Sequence, residues 1–258
     1  MKVGFLITVR LKSNRLPQKV MLKVQGESYI TWMIRRLKLQ SELDEIILCT
    51  STNPEDDPLE SVAEKEGVHC FRGSEEDVFE RLNEARLEYK LDYVINITAD
   101  CPLVPFDLIP DLVKSYREKP ADLITCHHLP VGLYLSGLSV EAMDRLMDIK
   151  ASETTEYWLY YFLKSDLFEV RKLETDPSLE RTGYRLALDY SEDHEMFTAL
   201  YNGMGPTTYA SSTKVIVEWL DAHPEVVKLN EGCDQKGAKR TEEDPTSKVK
   251  LKDGSVLS

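Results

Sequence analysis

Short apolar runs punctuate the chain, and the residues between them carry a helical repeat. Runs rich in Val, Ile and Leu lie at 2–9 (KVGFLITV), 45–50 (EIILCT), 93–100 (YVINITAD), 121–126 (ADLITC) and 184–190 (YRLALDY). Runs with so little polar alternation suit strands covered on both faces. After the first run, Ser28 precedes Ile30, Met33, Ile34 and Leu37 at helical spacing, with Arg35, Arg36 and Lys38 expected on the wet side. Serine is a favoured N-cap, so a helix is predicted there. Over 75–90, Val78, Phe79, Leu82 and Ala85 share one stripe behind Glu75, Glu76 and Asp77, acids that suit a helix N-terminus. Further helices are predicted over 106–118, 153–164, 192–202 and 212–221. Strands that alternate with helices predict an α/β fold with a doubly wound, mostly parallel sheet.

The period weakens between about 127 and 182, where HHLPVGLYLSGLSVE is followed by the aromatic stretch ETTEYWLYYFLKSDLFEV. Aromatic clusters serve cores and subunit contacts as well as ligand boxes. This stretch is assigned to a dimerisation and acceptor segment inserted in a domain spanning 1–228, and a homodimer is expected. From 229 to 258 the chain is polar and charged, the composition of a flexible or loosely docked tail.

Composition narrows the partners. The 258 residues carry a formal net charge of −13, which opposes non-specific attraction to nucleic acid or to an anionic membrane. No apolar run is long enough to span a bilayer, and the first residues read as a buried strand, so a cytoplasmic protein is expected. The five cysteines are scattered without metal-site spacing. Cys101 has no base beside it in sequence to make it a nucleophile. Against this acidity, Arg10, Lys12, Arg15, Lys19 and Lys23 crowd into one short stretch. A local basic site of this kind can hold a small polyanion.

Open parallel sheets bind ligands at the carboxyl ends of their strands. The first run leads directly into Arg10, Ser13, Arg15 and Lys19, a set that suits a triphosphate and equally suits a solvated loop. No glycine-rich phosphate fingerprint is present, which argues against a P-loop enzyme or a dinucleotide-binding dehydrogenase. The third run ends at Asp100, which fits either a magnesium ligand or a turn cap. The last run ends at Asp189. Two aspartates at strand ends together with a cationic loop favour a magnesium–triphosphate site over each bland alternative.

Taken in order, VRLKSNRLPQKVML, FRGSEEDVFERL, ITADCPLV and RLALDYSED resemble the cytidylyltransferase family. That family includes the synthetases of CMP-sialic acid and CMP-3-deoxy-manno-octulosonate and the spore-coat polysaccharide biosynthesis protein F type, the last being nearest in flavour. The resemblance implies a Rossmann-like fold of the nucleotidyltransferase type. It also implies a CTP- and Mg2+-dependent transfer of CMP to an acidic sugar or similar small anionic acceptor, for surface-polysaccharide assembly. On matching positions it makes Arg10, Lys19, Asp100 and Asp189 catalytic and gives Arg10, Ser13, Arg15, Lys19, Arg72 and Asp77 to the nucleotide. Asp100 and Asp189 become the metal ligands. Gln18 stands where the spore-coat type has glycine, and Tyr134 and Ser136 stand at two acidic positions of its GLDVE element. Acceptor contacts are therefore expected from His127, His128, Glu153 or Glu156, although the two histidines equally suit a polar turn. Two other readings stand beside the transferase: a non-catalytic nucleotide-binding protein of the same fold, and a nucleotide-sugar glycosyltransferase. The second is disfavoured by the single aspartate in ITADCPL.

Overall fold

The structure is a computed structural model and describes residues 1–126, 128–233 and 249–257. Seven strands form one sheet: β1 (Val3–Thr8), β2 (Glu45–Ser51), β3 (His69–Gly73), β4 (Tyr93–Thr98), β5 (Leu123–Thr125), β6 (Ser136–Ser139) and β7 (Val170–Lys172). Their order is β3-β2-β1-β4-β6-β5-β7. β1 lies parallel to both β2 and β4, with Phe5 opposite Ile46 on one side and Ile95 on the other. Only β6 runs against its neighbours. The mostly parallel, doubly wound α/β sheet expected from the sequence is the one observed.

Alternation along the strands builds two cores. Phe5 and Ile7 face one apolar cluster, while Leu6 between them faces the other; successive side chains of a strand point to opposite faces. Helices α1 (Tyr29–Leu37), α2 (Pro58–Glu66), α4 (Ile109–Glu118), α7 (Ser191–Met204) and α8 (Thr213–Ala222) contribute to the first cluster. Helices α3 (Val78–Glu88), α5 (Val140–Ile149) and α6 (Leu159–Leu163) cover the second. Ser28 caps α1 by accepting from Thr31 N, and Asp77 caps α3 by accepting from Glu80 N.

Several sequence expectations change here. Arg36 is fully buried rather than wet. Its guanidinium donates to the carbonyls of Val104, Tyr209 and Ser211 and lies 4.4 Å from the Phe106 ring centroid. It thereby ties α1 to two distant loops. Residues 184–190 are not a ladder-forming strand but an extended, mostly buried segment held at isolated points: Leu186 N donates to Val131 O at 2.6 Å and Leu188 N to Asp100 O at 2.7 Å. The helix predicted over 153–164 shrinks to α6, because Thr155 is used elsewhere, donating to Asp77 and accepting from Phe79 N. The segment 127–182 adds β6 and β7 to the common sheet, and α5 and α6 to its cover.

The polar stretch after 229 hides anchors. Asn230 donates to Arg185 O and to Asp193, and Cys233 is buried. Further on, β8 (Val249–Lys250) and β9 (Val256–Leu257) pair as a hairpin whose Leu251 enters the second core. Ala151 N and the Tyr161 hydroxyl both donate to Lys250 O. Among the described residues no helix is long and apolar enough to cross a membrane.

Candidate active site

The loop after β1 is pinned from below so that its cations face a cleft. Leu11 and Val20 are buried, Leu11 N donates to Asp56 Oδ1 at 2.7 Å, and Gln18 N returns to Leu11 O at 3.2 Å. Gln18 adopts the left-handed conformation, φ 51 and ψ 30. A non-glycine residue thus makes a left-handed turn here, and the turn delivers Lys19 on a short 3₁₀ turn over Lys19–Met21. The cleft has a volume of about 330 Å3 and is lined by Arg10, Ser13, Arg15, Lys19, Asp100 and Glu156, among others.

Charge at the cleft floor is matched pairwise. Lys19 Nζ lies 2.8 Å from Asp100 Oδ2 and 2.8 Å from Asp189 Oδ1. Arg15 reaches the same Asp189 oxygen at 2.7 Å and stacks on the Tyr190 ring. Burial alone would lower the Lys19 pKa, but Asp100 and Asp189 outweigh it and the net direction is upward. Burial likewise works against the charge of Asp100, and Lys19 overturns that effect and holds its carboxyl below the usual range. Thr98 supports Asp100 with a hydroxyl hydrogen bond. Burial and the neighbouring Asp100 push the Cys101 thiol far up, which leaves it a poor nucleophile.

Asp189 is aimed from behind. Arg185 holds its second oxygen, Oδ2, at 2.7 Å, and Asp193 binds both Arg185 Nε at 3.1 Å and Asp189 N at 2.8 Å. Asp193 also accepts from Tyr190 N and from Asn230. Sequence reasoning does not single out Arg185 or Asn230 as supports of Asp189. Their signal is weak in sequence, since Asn230 sits 41 positions beyond Asp189 in a polar stretch.

The sequence pattern of the family described as Cytidylyltransferase matches residues 5–212. The chain belongs to the cytidylyltransferase family. Members of this family are nucleotidyltransferases. The chain is 29% identical over 245 residues to an uncharacterized protein of Methanocaldococcus jannaschii, an alignment spanning 94% of this chain and 100% of the relative. It is 27% identical over 219 residues to the spore coat polysaccharide biosynthesis protein SpsF of Bacillus subtilis, spanning 82% of this chain and 91% of that protein. Among solved structures, a cytidylyltransferase from Leptospira borgpetersenii superposes with a TM-score of 0.81 at 25% identity, over 88% of this chain and 97% of the other. A CMP:2-keto-3-deoxy-manno-octonic acid synthetase complexed with CTP shares the fold, with a TM-score of 0.63 at 15% identity, over 80% of this chain and 100% of the other.

Within this cytidylyltransferase fold, the structure brings Arg10, Ser13, Arg15, Lys19, Asp100, Asp189 and Glu156 together. Arg10 Nη1 donates to Glu75 O at 3.0 Å, and its Nη2 lies 3.9 Å from Glu156. Arg72 stands apart. It binds the carbonyls of Ser51 and Asn53 and the carboxylate of Asp57 at 2.7 Å, so it serves the loop after β2 rather than the cleft. Asp77, expected at the nucleotide, serves the fold instead: it is buried, caps α3 and pairs with Lys150. His128 also lies away from the cleft lining, with its Nε2 2.6 Å from Thr175 Oγ1. Glu153 is exposed, and His127 lies outside the described residues.

Asp100 and Asp189 are both within 2.8 Å of the Lys19 ammonium, so their carboxylates converge on one position suited to a cation. Magnesium is commonly held by one or two carboxylates, with substrate phosphates and water completing its shell. The donor set therefore fits the ion, although no group of three or more His, Cys, Asp or Glu converges among the described residues.

Proposed function

We propose that this chain transfers a cytidylyl group from CTP to a hydroxyl of a small sugar-like acceptor and releases pyrophosphate. The observation that carries the reading is the meeting of Lys19 and Arg15 with Asp100 and Asp189 at the carboxyl end of the central parallel strands. The acceptor oxygen forms a bond to the α-phosphorus, the bond from that phosphorus to the bridging oxygen breaks, and pyrophosphate departs with the electron pair. The hydroxyl proton is released to water.

The chain's own residues would perform positioning and charge stabilisation, the main needs of phosphoryl-type displacement. Arg10, Ser13 and Arg15 bind triphosphate oxygens. Lys19 turns from its carboxylates to the α-phosphate and meets the negative charge that develops there. Magnesium, bound between Asp100 and Asp189, would neutralise phosphate charge as a Lewis acid. The preference for cytosine rests on the family relationship, and a role in surface-polysaccharide assembly draws support from the named function of the B. subtilis relative.

A cytoplasmic homodimer belongs to the same reading. Leu163, Leu167 and Val170 are exposed apolar residues in the stretch from the end of α6 to the edge strand β7, where apolar surface suits a subunit contact. A monomer in sedimentation at micromolar concentration would remove that part.

The deciding experiment is pyrophosphate release with Mg2+, each of the four nucleoside triphosphates and a panel of sugars and sugar acids. Release that requires CTP and one acceptor is expected. Turnover with another triphosphate, and none with CTP, would overturn the assignment.

A further inference from the structure

One side of the cleft is the cationic loop after β1 together with the end of β4. The other is made of Glu76 and Val78 at the entry to α3 and of Glu156 and Trp158 ahead of α6. These two wall segments are joined from behind. Thr155 Oγ1 donates to Asp77 Oδ1 at 2.6 Å and accepts from Phe79 N at 2.8 Å, and Thr155 N donates to Glu76 O at 3.2 Å. Asp77 lies between Glu76 and Val78 in sequence, and Thr155 immediately precedes Glu156. Thr155 O accepts from Trp158 N at 3.1 Å, and the Trp158 ring packs on Phe79 with centroids 5.5 Å apart. The Asp77–Thr155 joint therefore fixes where this wall stands.

The joint carries a charge that burial makes costly. Asp77 is 3% exposed, and an ionised carboxylate removed from water needs a cation and hydrogen bonds in exchange. Lys150, 9% exposed, is that cation: its Nζ pairs with Asp77 Oδ2 and donates to Ser152 O at 3.3 Å. Lys150 directly follows α5, and the hairpin of β8 and β9 braces its backbone from outside. Ala151 N donates to Lys250 O at 3.0 Å, Lys252 N donates to Ile149 O at 2.8 Å, and Lys150 bridges to Leu251, which is buried in the second core. The Tyr161 hydroxyl on α6 reaches the same Lys250 carbonyl at 3.1 Å. The hairpin thus grips both ends of the stretch that carries Thr155, Glu156 and Trp158.

We propose that Lys150, Asp77 and Thr155 are positioning residues for the nucleotide cleft, and that the hairpin of β8 and β9 clasps the wall they hold. The inference rests on the CTP binding proposed above. It gives Asp77 an indirect part in that binding, through the wall residues on either side of it. Arg10 links the wall to the phosphate loop: its Nη1 donates to Glu75 O at 3.0 Å and its Nη2 stands 3.9 Å from the Glu156 carboxylate. One of these contacts comes from each wall segment. A wall that shifts therefore moves a group proposed to bind triphosphate oxygens.

The test is calorimetric titration of CTP with Mg2+ into the full chain, at a temperature where each variant is folded. Thr155→Val keeps the volume and loses both hydroxyl hydrogen bonds. Its dissociation constant for CTP is expected to rise at least about tenfold, because small displacements of a positioning group are costly. Thr155→Ser restores the hydroxyl and is expected to bring the affinity back close to wild type. Leu251→Asp unseats the hairpin without touching the joint, and weaker CTP binding is expected there too. Labelling with 5-fluorotryptophan supplies a local readout. The 19F signal of Trp158, assigned by its loss in Trp158→Phe, should shift in Thr155→Val and Leu251→Asp, while the signals of Trp32 and Trp219 stay in place. Unchanged CTP affinity in folded Thr155→Val or folded Leu251→Asp would overturn the proposal, as would equal losses in Thr155→Val and Thr155→Ser or a shift of all three signals. Should Thr155→Val fail to fold, Leu251→Asp decides on the same criteria. Absence of CTP binding by the wild type removes the transfer reading itself, whereas equal binding by wild type and variants removes only this inference.

Discussion

Lys19 Nζ sits 2.8 Å from Asp189 Oδ1 although 170 residues separate the two in sequence. The same ammonium holds Asp100 at 2.8 Å, so one cation bridges the two carboxylates proposed to bind magnesium, and Arg15 and Arg185 supply Asp189 with further positive charge. The pairing keeps the charges of an open site satisfied. On the proposed function, binding would be an exchange of partners, in which phosphate would take the cation and a metal ion the acids.

Lys19→Ala and Asp100→Asn should each lower turnover by at least about a hundredfold, the scale of losing one electrostatic contact to developing charge. Steady-state pyrophosphate release under saturating CTP measures it. Near-normal turnover in both variants would mean that the chemistry lies elsewhere in the cleft.

The same pair gives a pH signature. Asp100 is held below its usual pKa by Lys19 against the effect of burial, so its contribution to stability is full above about pH 4, the unfolded value, and is lost as pH falls through the lower folded value. Lys19 is raised, so its contribution is full below about pH 10 and is lost as pH rises through the folded value. Lys19→Met leaves burial to raise the pKa of Asp100, which reverses its sign: the folded variant then gains stability as it takes up that proton. The melting-temperature gap between wild type and Lys19→Met should therefore narrow between pH 7 and pH 4. A gap that stays constant over this range would contradict the assignment.

Asp193 is fully buried and holds Arg185, Asn230 and the backbone of Asp189 and Tyr190. Removing one partner of such a network leaves Arg185 short of one of its two acids. Asp193→Ala is expected to destabilise the fold by about 3–5 kcal/mol in chemical denaturation. A cost below about 1 kcal/mol would show that the network adds little.

Gly132 lets the Asp189 segment approach. Its φ is +92, and a Cβ there would stand 2.0 Å from Leu186 O. Gly132→Ala has no flexible side chain to push aside, only backbone, so a loss of about 2 kcal/mol or more is expected from strain and overpacking. Denaturation midpoints measure it, and CTP affinity should fall in the same variant because Asp189 moves with the segment.

The sheet was legible wherever a strand is buried on both faces. β1, β2 and β4 announce themselves as Val, Ile and Leu runs because both cores claim their side chains. β6 does not, since SGLS carries little apolar signal and owes Gly137 to a packing demand: a Cβ there would meet the Tyr93 hydroxyl at 2.1 Å. The run at 184–190 was misread for the converse reason. Leu186 and Leu188 are buried, but their burial comes from loop packing without a ladder. Of the site, the cations after β1 and the aspartates at 100 and 189 were visible as residue types at element ends. Arg72 entered only through the family resemblance, and Asp57 lies 2.7 Å from it, a local partner that could not be foreseen from FRGSEED. The buried support from Arg185, Asp193 and Asn230 depends on contacts between distant segments, which carry no periodic signal.

Gln18 offers the last check on the phosphate loop. Its left-handed backbone, φ 51 and ψ 30, costs a non-glycine residue about 1 kcal/mol, while glycine there would relax the turn and add about as much unfolded-chain entropy. Gln18→Gly should therefore lie within about 1 kcal/mol of wild type and bind CTP normally. Gln18→Val brings a β-branched side chain into the same conformation, a genuine steric outlier, and should cost about 1–2 kcal/mol. Because Lys19 is the next residue, the loop's adjustment would displace the ammonium, and CTP affinity should fall at least about tenfold, since small misplacements of a positioning group are costly. Calorimetric titration of CTP into both variants decides the matter. Equal affinities would mean that the turn at Gln18 does not place Lys19.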